Sequence, residues 1–136
     1  MANGLGKLES AVARIASIHG RDVGRQERER AIMGLLDASG WKISNARMNL
    51  PEPVKPKWLA KNITELGLSG RIRAEYVNSI LDLGLRNEHI RSFRALAEAA
   101  GITKKGLMKM LAITGHRVKL HKVFGRRRAL GGKTRP

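Results

Sequence analysis

The positive charge of the chain is the strongest signal in its sequence. The 136 residues include 27 Lys and Arg against 11 Asp and Glu, a formal net charge of +16 at pH 7. Such an excess repels itself in a compact fold and attracts polyanions. It is also uneven, since residues 88–136 hold 13 Lys and Arg against two acidic residues, the last of which is Glu98. The sequence therefore predicts a polyanionic partner, with nucleic acid favoured over an anionic membrane surface.

The remaining composition predicts an all-α fold. Hydrophobic residues make up 42% of the chain, enough for a core, but only 4% of residues are aromatic. Leu, Ile, Val and Ala must fill that core, and without long β-branched runs they suit packed helices better than sheets. The absence of cysteine excludes disulfides, thiolate zinc sites and thiol catalysis. With no apolar secretory segment and no run of about 18 apolar residues, we expect a cytoplasmic protein without membrane contact.

Apolar periodicity and turn residues predict the elements. Helical spacing recurs from the first residues to near Gly20 and again over 25–38. Three prolines within six residues, at 51, 53 and 56, favour an extended connector. We further predict helices over 58–66, from Ser69 to near Gly84, over 88–100 with Asn87 as its cap, and from Thr103 to near Gly115. For the segment around Val118 and Leu120, the sequence is compatible with two alternatives, a short strand and a continued helix.

These elements predict a small multi-helix bundle with four segments. Residues 1–50 form an N-terminal helical region, a candidate oligomerisation or partner-binding unit, and residues 51–57 form the proline-rich connector. Residues 58–124 form a helical nucleic-acid-binding domain. Residues 125–136 form a flexible basic tail, because they contain too few apolar residues to fold alone.

One segment carries a motif. Residues 93–112 read FRALAEAAGITKKGLMKMLA, with a small residue, a glycine and four aliphatic residues at fixed spacing: Ala97, Gly101, Leu96, Ile102, Leu107 and Met110. This pattern resembles the helix-turn-helix signature of phage, plasmid and bacterial regulators. In that family the small residue lies where two helices cross, and the glycine ends the first helix in a left-handed conformation that other residues adopt at a cost.

The resemblance implies that the second helix enters the major groove of duplex DNA. The residues it assigns to base edges and phosphates are Thr103, Lys104, Lys105, Met108 and Lys109. This helix contains no Arg, Asn or Gln, the side chains that read bases through paired hydrogen bonds. The departure weakens any expectation of high sequence specificity.

The basic C-terminal residues predict further phosphate contacts and a steep salt dependence. The residues concerned are Arg117, Lys119, Lys122, Arg126, Arg127 and Arg128. We therefore expect a DNA-binding transcriptional regulator or accessory factor, dimeric by analogy with proteins that bind two half-sites. Two alternatives stay open: an RNA-binding component of a ribonucleoprotein, and a helical structural subunit of a larger nucleoprotein assembly.

No constellation in the sequence predicts an enzyme. The four histidines lack metal-ligand spacing, and the acidic residues lack partners that indicate acid–base chemistry. We predict no catalytic residue, metal or cofactor. Trp41 and Trp58 flank the proline segment, where core packing is the expected role and base stacking the alternative.

Overall fold

A computed structural model of the chain describes residues 3–134, and the side chains of residues 6–130. Within this range every regular element is a helix, which confirms the all-α class. The helices are α1 (Asn3–Ile18), α2 (Arg25–Ala38), α3 (Ile43–Met48), α4 (Pro56–Glu65), α5 (Ser69–Arg86), α6 (Phe93–Ala100), α7 (Lys104–Thr114) and α8 (Arg117–Thr134).

The chain divides into two compact units within α5, the first ending at Tyr76 and the second beginning at Val77. The division predicted at residues 51–57 is therefore misplaced. That proline-rich segment lies inside the first unit, because Val54 is 6% exposed and belongs to its hydrophobic core. Pro51 and Pro53 lie outside the helices, whereas Pro56 is the first residue of α4, a position where proline is tolerated. The buried Val54 side chain makes the segment part of the core rather than a free connector.

The core of the first unit is built mainly from α1, α2 and α4. Ile15, Ile32, Leu35 and Leu59 are fully buried in it. Trp41 and Trp58 are partly buried against the same cluster, which confirms the core packing predicted for them.

A short helix in this unit escaped prediction. Helix α3 has six residues and buries only Ala46, so it is too short to show a helical repeat of apolar residues.

In the second unit the end of α5 packs against α6 and α8, and α7 packs against the same two helices. Val77, Ile80 and Leu96 are almost completely buried, as are Leu107 and Leu120. Phe93 and Phe124 meet edge to face, with ring centroids 5.1 Å apart and ring planes at 82°. This geometry is the one aromatic pairs prefer, and it fixes α8 against the start of α6.

The helix predicted over 88–100 begins later than expected. Helix α6 starts at Phe93, and Ser92 is its N-cap, since the Ser92 hydroxyl accepts a hydrogen bond from the Ala95 N–H at 3.1 Å. The Asn87 side chain instead donates to the Leu83 carbonyl at 2.8 Å. Asn87 therefore binds the C-terminal turn of α5 and does not cap α6. Asn and Ser are similarly good N-cap residues, so the sequence alone did not show which of Asn87 and Ser92 begins the helix.

The flexible tail predicted from residue 125 is also wrong over the described residues. Helix α8 runs unbroken from Arg117 to Thr134, so the strand alternative near Val118 is wrong as well. Leu120 and Phe124 are fully buried on one face, and Arg127 follows one turn later with its guanidinium bound to the protein. Residues 135–136 of the predicted tail lie outside the described residues.

Candidate nucleic-acid interface

Helices α6 and α7 are joined by the turn 101–103. Gly101 ends α6 in the left-handed region, with φ of +72°, and the Ile102 N–H donates to the Ala97 carbonyl at 3.0 Å. Thr103 is the N-cap of α7, and its hydroxyl accepts from the Gly106 N–H at 3.0 Å. The turn glycine and the threonine cap therefore lie where the sequence predicted them.

Burial orients α7 in the second unit. Leu107 and Leu111 are fully buried, and Met110 is half-buried beside them. Because side chains three and four residues apart share a helix face, the opposite face carries Lys105 and Lys109. Both lysines are exposed and lie one turn apart.

The five residues predicted to contact bases do not have equal access to solvent. Thr103, Lys104, Lys105 and Lys109 are exposed, whereas Met108 is half-buried. The Thr103 hydroxyl oxygen is engaged as the helix cap, so this residue offers a ligand its O–H as a donor. Lysine is thus the dominant chemistry of the exposed surface of α7.

Gly106 lies in the first turn of α7 and is exposed. A Cβ atom at this position would lie 3.1 Å from the Thr103 hydroxyl oxygen, tighter than ordinary contact. Glycine here lowers helix propensity by about 1 kcal/mol relative to alanine. The absence of a Cβ atom leaves room for the Thr103 hydroxyl that caps the helix. It also leaves the backbone of the first turn of α7 accessible to a ligand.

The cations of α8 lie mainly on its solvent side. Lys119, Lys122 and Arg126 are exposed and follow one another at spacings of three and four residues, which aligns them in one stripe. Arg117 and Arg128 are also exposed but lie outside this stripe. Arg128 donates one guanidinium N–H to the carbonyl of Arg91.

Arg127 is directed into the protein and does not join this surface. Its guanidinium donates to the carbonyls of Gly84 at 2.7 Å, Leu85 at 2.8 Å, Asn87 at 2.9 Å and Ile90 at 2.8 Å. The last carbonyls of a helix have no partner within it, and a cation there interacts favourably with the helix dipole. Arg127 therefore completes the C-terminal end of α5, a different role from the phosphate contact predicted for it.

Within residues 104–130, carboxylates form no ion pair with the cations of α7 and α8. No acidic residue follows Glu98 in the sequence. Ion pairs at up to 4.0 Å occur among α1, α2, α4 and α5, and none involves a described side chain of α7 or α8. The exposed lysines and arginines of α7 and α8 thus produce a positive field that the protein does not cancel.

Two further cations of this unit were not singled out in the sequence. Arg91, in the loop before α6, and Arg94, in the first turn of α6, are both exposed. They were missed because they precede Glu98 and so lie outside the segment without acidic residues.

Comparison with models of protein families, with curated proteins and with solved structures gave no match to this chain. None of the helices over residues 3–134 has the length and apolar content needed to cross a bilayer. The same residues contain no group of three or more His, Asp or Glu that could hold a metal ion.

Proposed function

We propose that this chain is a nucleic-acid-binding protein whose second unit binds duplex DNA through α7 and α8, as a transcriptional regulator or an accessory DNA-binding factor. The single observation that carries the proposal is the set of exposed cations on these two helices with no carboxylate beside them. A polyanion is the ligand class that such a surface attracts.

In this proposal α6 and α7 act as a helix-turn-helix, with α7 in the major groove. Lys105 and Lys109 lie on the face of α7 opposite its buried leucines, the face that a groove would receive. Gly106 adds no side chain to the first turn, so phosphate or a base edge can approach the α7 backbone closely.

Helix α8 supplies contacts to the phosphate backbone. The stripe of Lys119, Lys122 and Arg126 adds three cations to the three lysines of α7. Six phosphate contacts give a slope of about −5 for the logarithm of the binding constant against the logarithm of salt concentration. Since α7 lacks Arg, Asn and Gln, we infer that phosphate contacts dominate affinity and that base recognition is modest.

RNA is the second candidate ligand, and one observation favours it. Helix α8 is a continuous helix of 18 residues rich in arginine and lysine, and such a helix can follow phosphates of a structured RNA as well as those of DNA.

A second copy of the chain would supply the symmetry needed to bind two half-sites of DNA.

The test is competitive binding of the purified chain to pools of duplex DNA and RNA at about 0.15 M salt, where non-specific attraction is substantially screened. The bound fractions are then sequenced. We expect duplex DNA to be recovered preferentially, and the K104Q/K105Q variant to lose that recovery. Preferential recovery of RNA would transfer the proposal to the second candidate.

The matched control is K55Q/K57Q. It removes the same charge from two exposed lysines of the first unit. Loss of binding in this control equal to that in K104Q/K105Q would contradict a site on α7 and leave only general attraction by net charge. An indifference to DNA sequence would contradict the regulator version of the proposal.

A further inference from the structure

The first unit contains a pocket of about 500 Å³ between the α2–α3 corner and the start of α5. Its volume lies in the range of small-ligand sites. Trp41 and Tyr76 line it, although the whole chain has only five aromatic residues. Two cations, Lys42 and Arg73, line it as well, and no carboxylate is among the lining residues.

Trp41 holds an unusual backbone conformation at this pocket. Its φ is +64°, and among the described residues it is the one non-glycine residue with positive φ. The left-handed region costs an L-residue energy, and such strain persists where the surrounding structure enforces it. Here the Trp41 N–H is fixed by a 2.7 Å hydrogen bond to the Leu36 carbonyl at the end of α2. The indole is thereby held partly buried, with part of its surface left in the pocket wall.

The lining combines two kinds of chemistry. Aromatic walls, extended by Ile72, stack against any flat ring, because every nucleobase offers a π-face. The Arg73 guanidinium pairs with phosphate or carboxylate, and Lys42 adds a second positive charge. A ligand that satisfies both is a planar ring bearing an anionic group.

From these residues we infer that the pocket binds a nucleotide, with its base against Trp41 and Tyr76 and its phosphate at Arg73. Two sources offer this chemistry, a free mononucleotide and one nucleotide of a single strand. The pocket belongs to the first unit, so this inference stands apart from the duplex-binding surface proposed on α7 and α8.

The experiment uses the full chain with the substitution W58F, which leaves Trp41 as its one tryptophan. Trp41 fluorescence is followed while adenosine monophosphate, ribose 5-phosphate or a thymidine tetranucleotide is added. We expect saturable quenching by adenosine monophosphate, at a concentration about tenfold lower than any effect of ribose 5-phosphate, which has the anion without the base. A tetranucleotide that binds more tightly than adenosine monophosphate identifies the single strand as the source, and the reverse order identifies the free nucleotide.

The matched variants separate a site from general attraction to a basic protein. R73Q removes a pocket cation, whereas R47Q removes an exposed cation of α3 that does not line the pocket. We expect R73Q to weaken nucleotide binding at least about fivefold and R47Q to leave it unchanged. Isothermal titration calorimetry of the unaltered chain repeats the measurement without W58F.

Three results would overturn the inference: no saturable signal in either assay up to about 5 mM nucleotide, equal binding of ribose 5-phosphate, or equal weakening by R73Q and R47Q.

Discussion

The two units of this protein carry charge in different ways. The first unit has 13 Lys and Arg against 8 Asp and Glu, and the second has 14 against 3. In the first unit, cations pair with carboxylates of neighbouring helices, as Arg28 does with Glu65 at 3.9 Å and Arg71 with Glu29 at 3.6 Å. In the described part of the second unit, the one ion pair joins Arg86 to Asp82 within α5. The first unit thus pairs several of its cations with carboxylates, whereas most cations in the described part of the second unit form no ion pair with a carboxylate.

The comparison also shows that counting arginines does not locate a binding surface. In the first unit, Arg25 donates to the Leu66 carbonyl at 3.1 Å, at the end of α4. In the second unit, Arg127 has the same role at the end of α5. Each arginine completes a helix C-terminus, and only its place on the helix distinguishes it from neighbours that face solvent.

The largest effect on stability is expected from R127M. It leaves the carbonyls of Gly84, Leu85, Asn87 and Ile90 without their charged donor, and hydrogen bonds to a charged group contribute more than neutral ones. We expect the second unit to lose about 3 kcal/mol. Amide hydrogen exchange across α5 and α8 measures this, because both tryptophans lie in the first unit and do not report on the second.

The matched control for R127M is R126M. It removes the same group from an exposed position one residue away. We expect a change in stability within about 0.5 kcal/mol together with weaker nucleic-acid binding. Equal destabilisation by the two variants would remove the distinction between structural and surface arginines in α8.

The second prediction tests the contrast in charge directly. K104Q/K105Q/K109Q removes three exposed lysines of the second unit, and K55Q/K57Q/K61Q removes three exposed lysines of the first. At about 0.15 M salt we expect the α7 variant to lose about 100-fold in affinity for duplex DNA, and to show a salt slope smaller by about 3. A loss in the first-unit variant of similar size would mean that net charge, and not the α7 surface, determines binding.

The third prediction compares one interior glycine from each unit. A Cβ at Gly84 would lie 3.3 Å from side-chain carbons of Leu96 and Leu120, whereas a Cβ at Gly34 would meet nothing within 4 Å. We expect G84V to destabilise the second unit by about 2 kcal/mol through overpacking. We expect G34A to stabilise the first by about 0.5–1 kcal/mol through helix propensity. For G34A, the change in the free energy of unfolding is measured by urea denaturation followed by tryptophan fluorescence. For G84V it is measured by hydrogen exchange. Destabilisation by G34A would show that the space beside α2 is not open.

The smallest effect is expected at the start of α7. T103A removes the hydroxyl that caps the Gly106 N–H, which lowers stability by about 1 kcal/mol. The effect of G106A depends on that hydroxyl, because the new Cβ would lie 3.1 Å from it. We expect G106A to be close to neutral alone and to gain about 1 kcal/mol in the T103A background. Hydrogen exchange in α7 measures this double-mutant cycle. Additive effects would show that contact with the Thr103 hydroxyl does not determine how G106A changes stability.

Elements with strong local signals were predictable. The bounds of α2 agree with the predicted 25–38, and α7 begins after its Thr103 cap and ends before Gly115. These agree because an apolar repeat and a cap are properties of neighbouring residues. The six residues of α3 and the start of α6 after Ser92 were missed. Their position depends on packing around Ala46 and Phe93, which adjacent residues do not encode.

The sequence by itself determined the helical class, the turn between α6 and α7, and the unbalanced charge after Glu98, because each follows from residue type and local spacing. The tertiary structure decided that the chain divides within α5 and that residues 125–134 continue α8. It also decided that Arg127 faces inward while Arg126 faces solvent. The physical reason is that a guanidinium is equally suited to phosphate and to the open carbonyls of a helix end. Only the packing of α8 against α5 brings one of these two arginines within reach of those carbonyls.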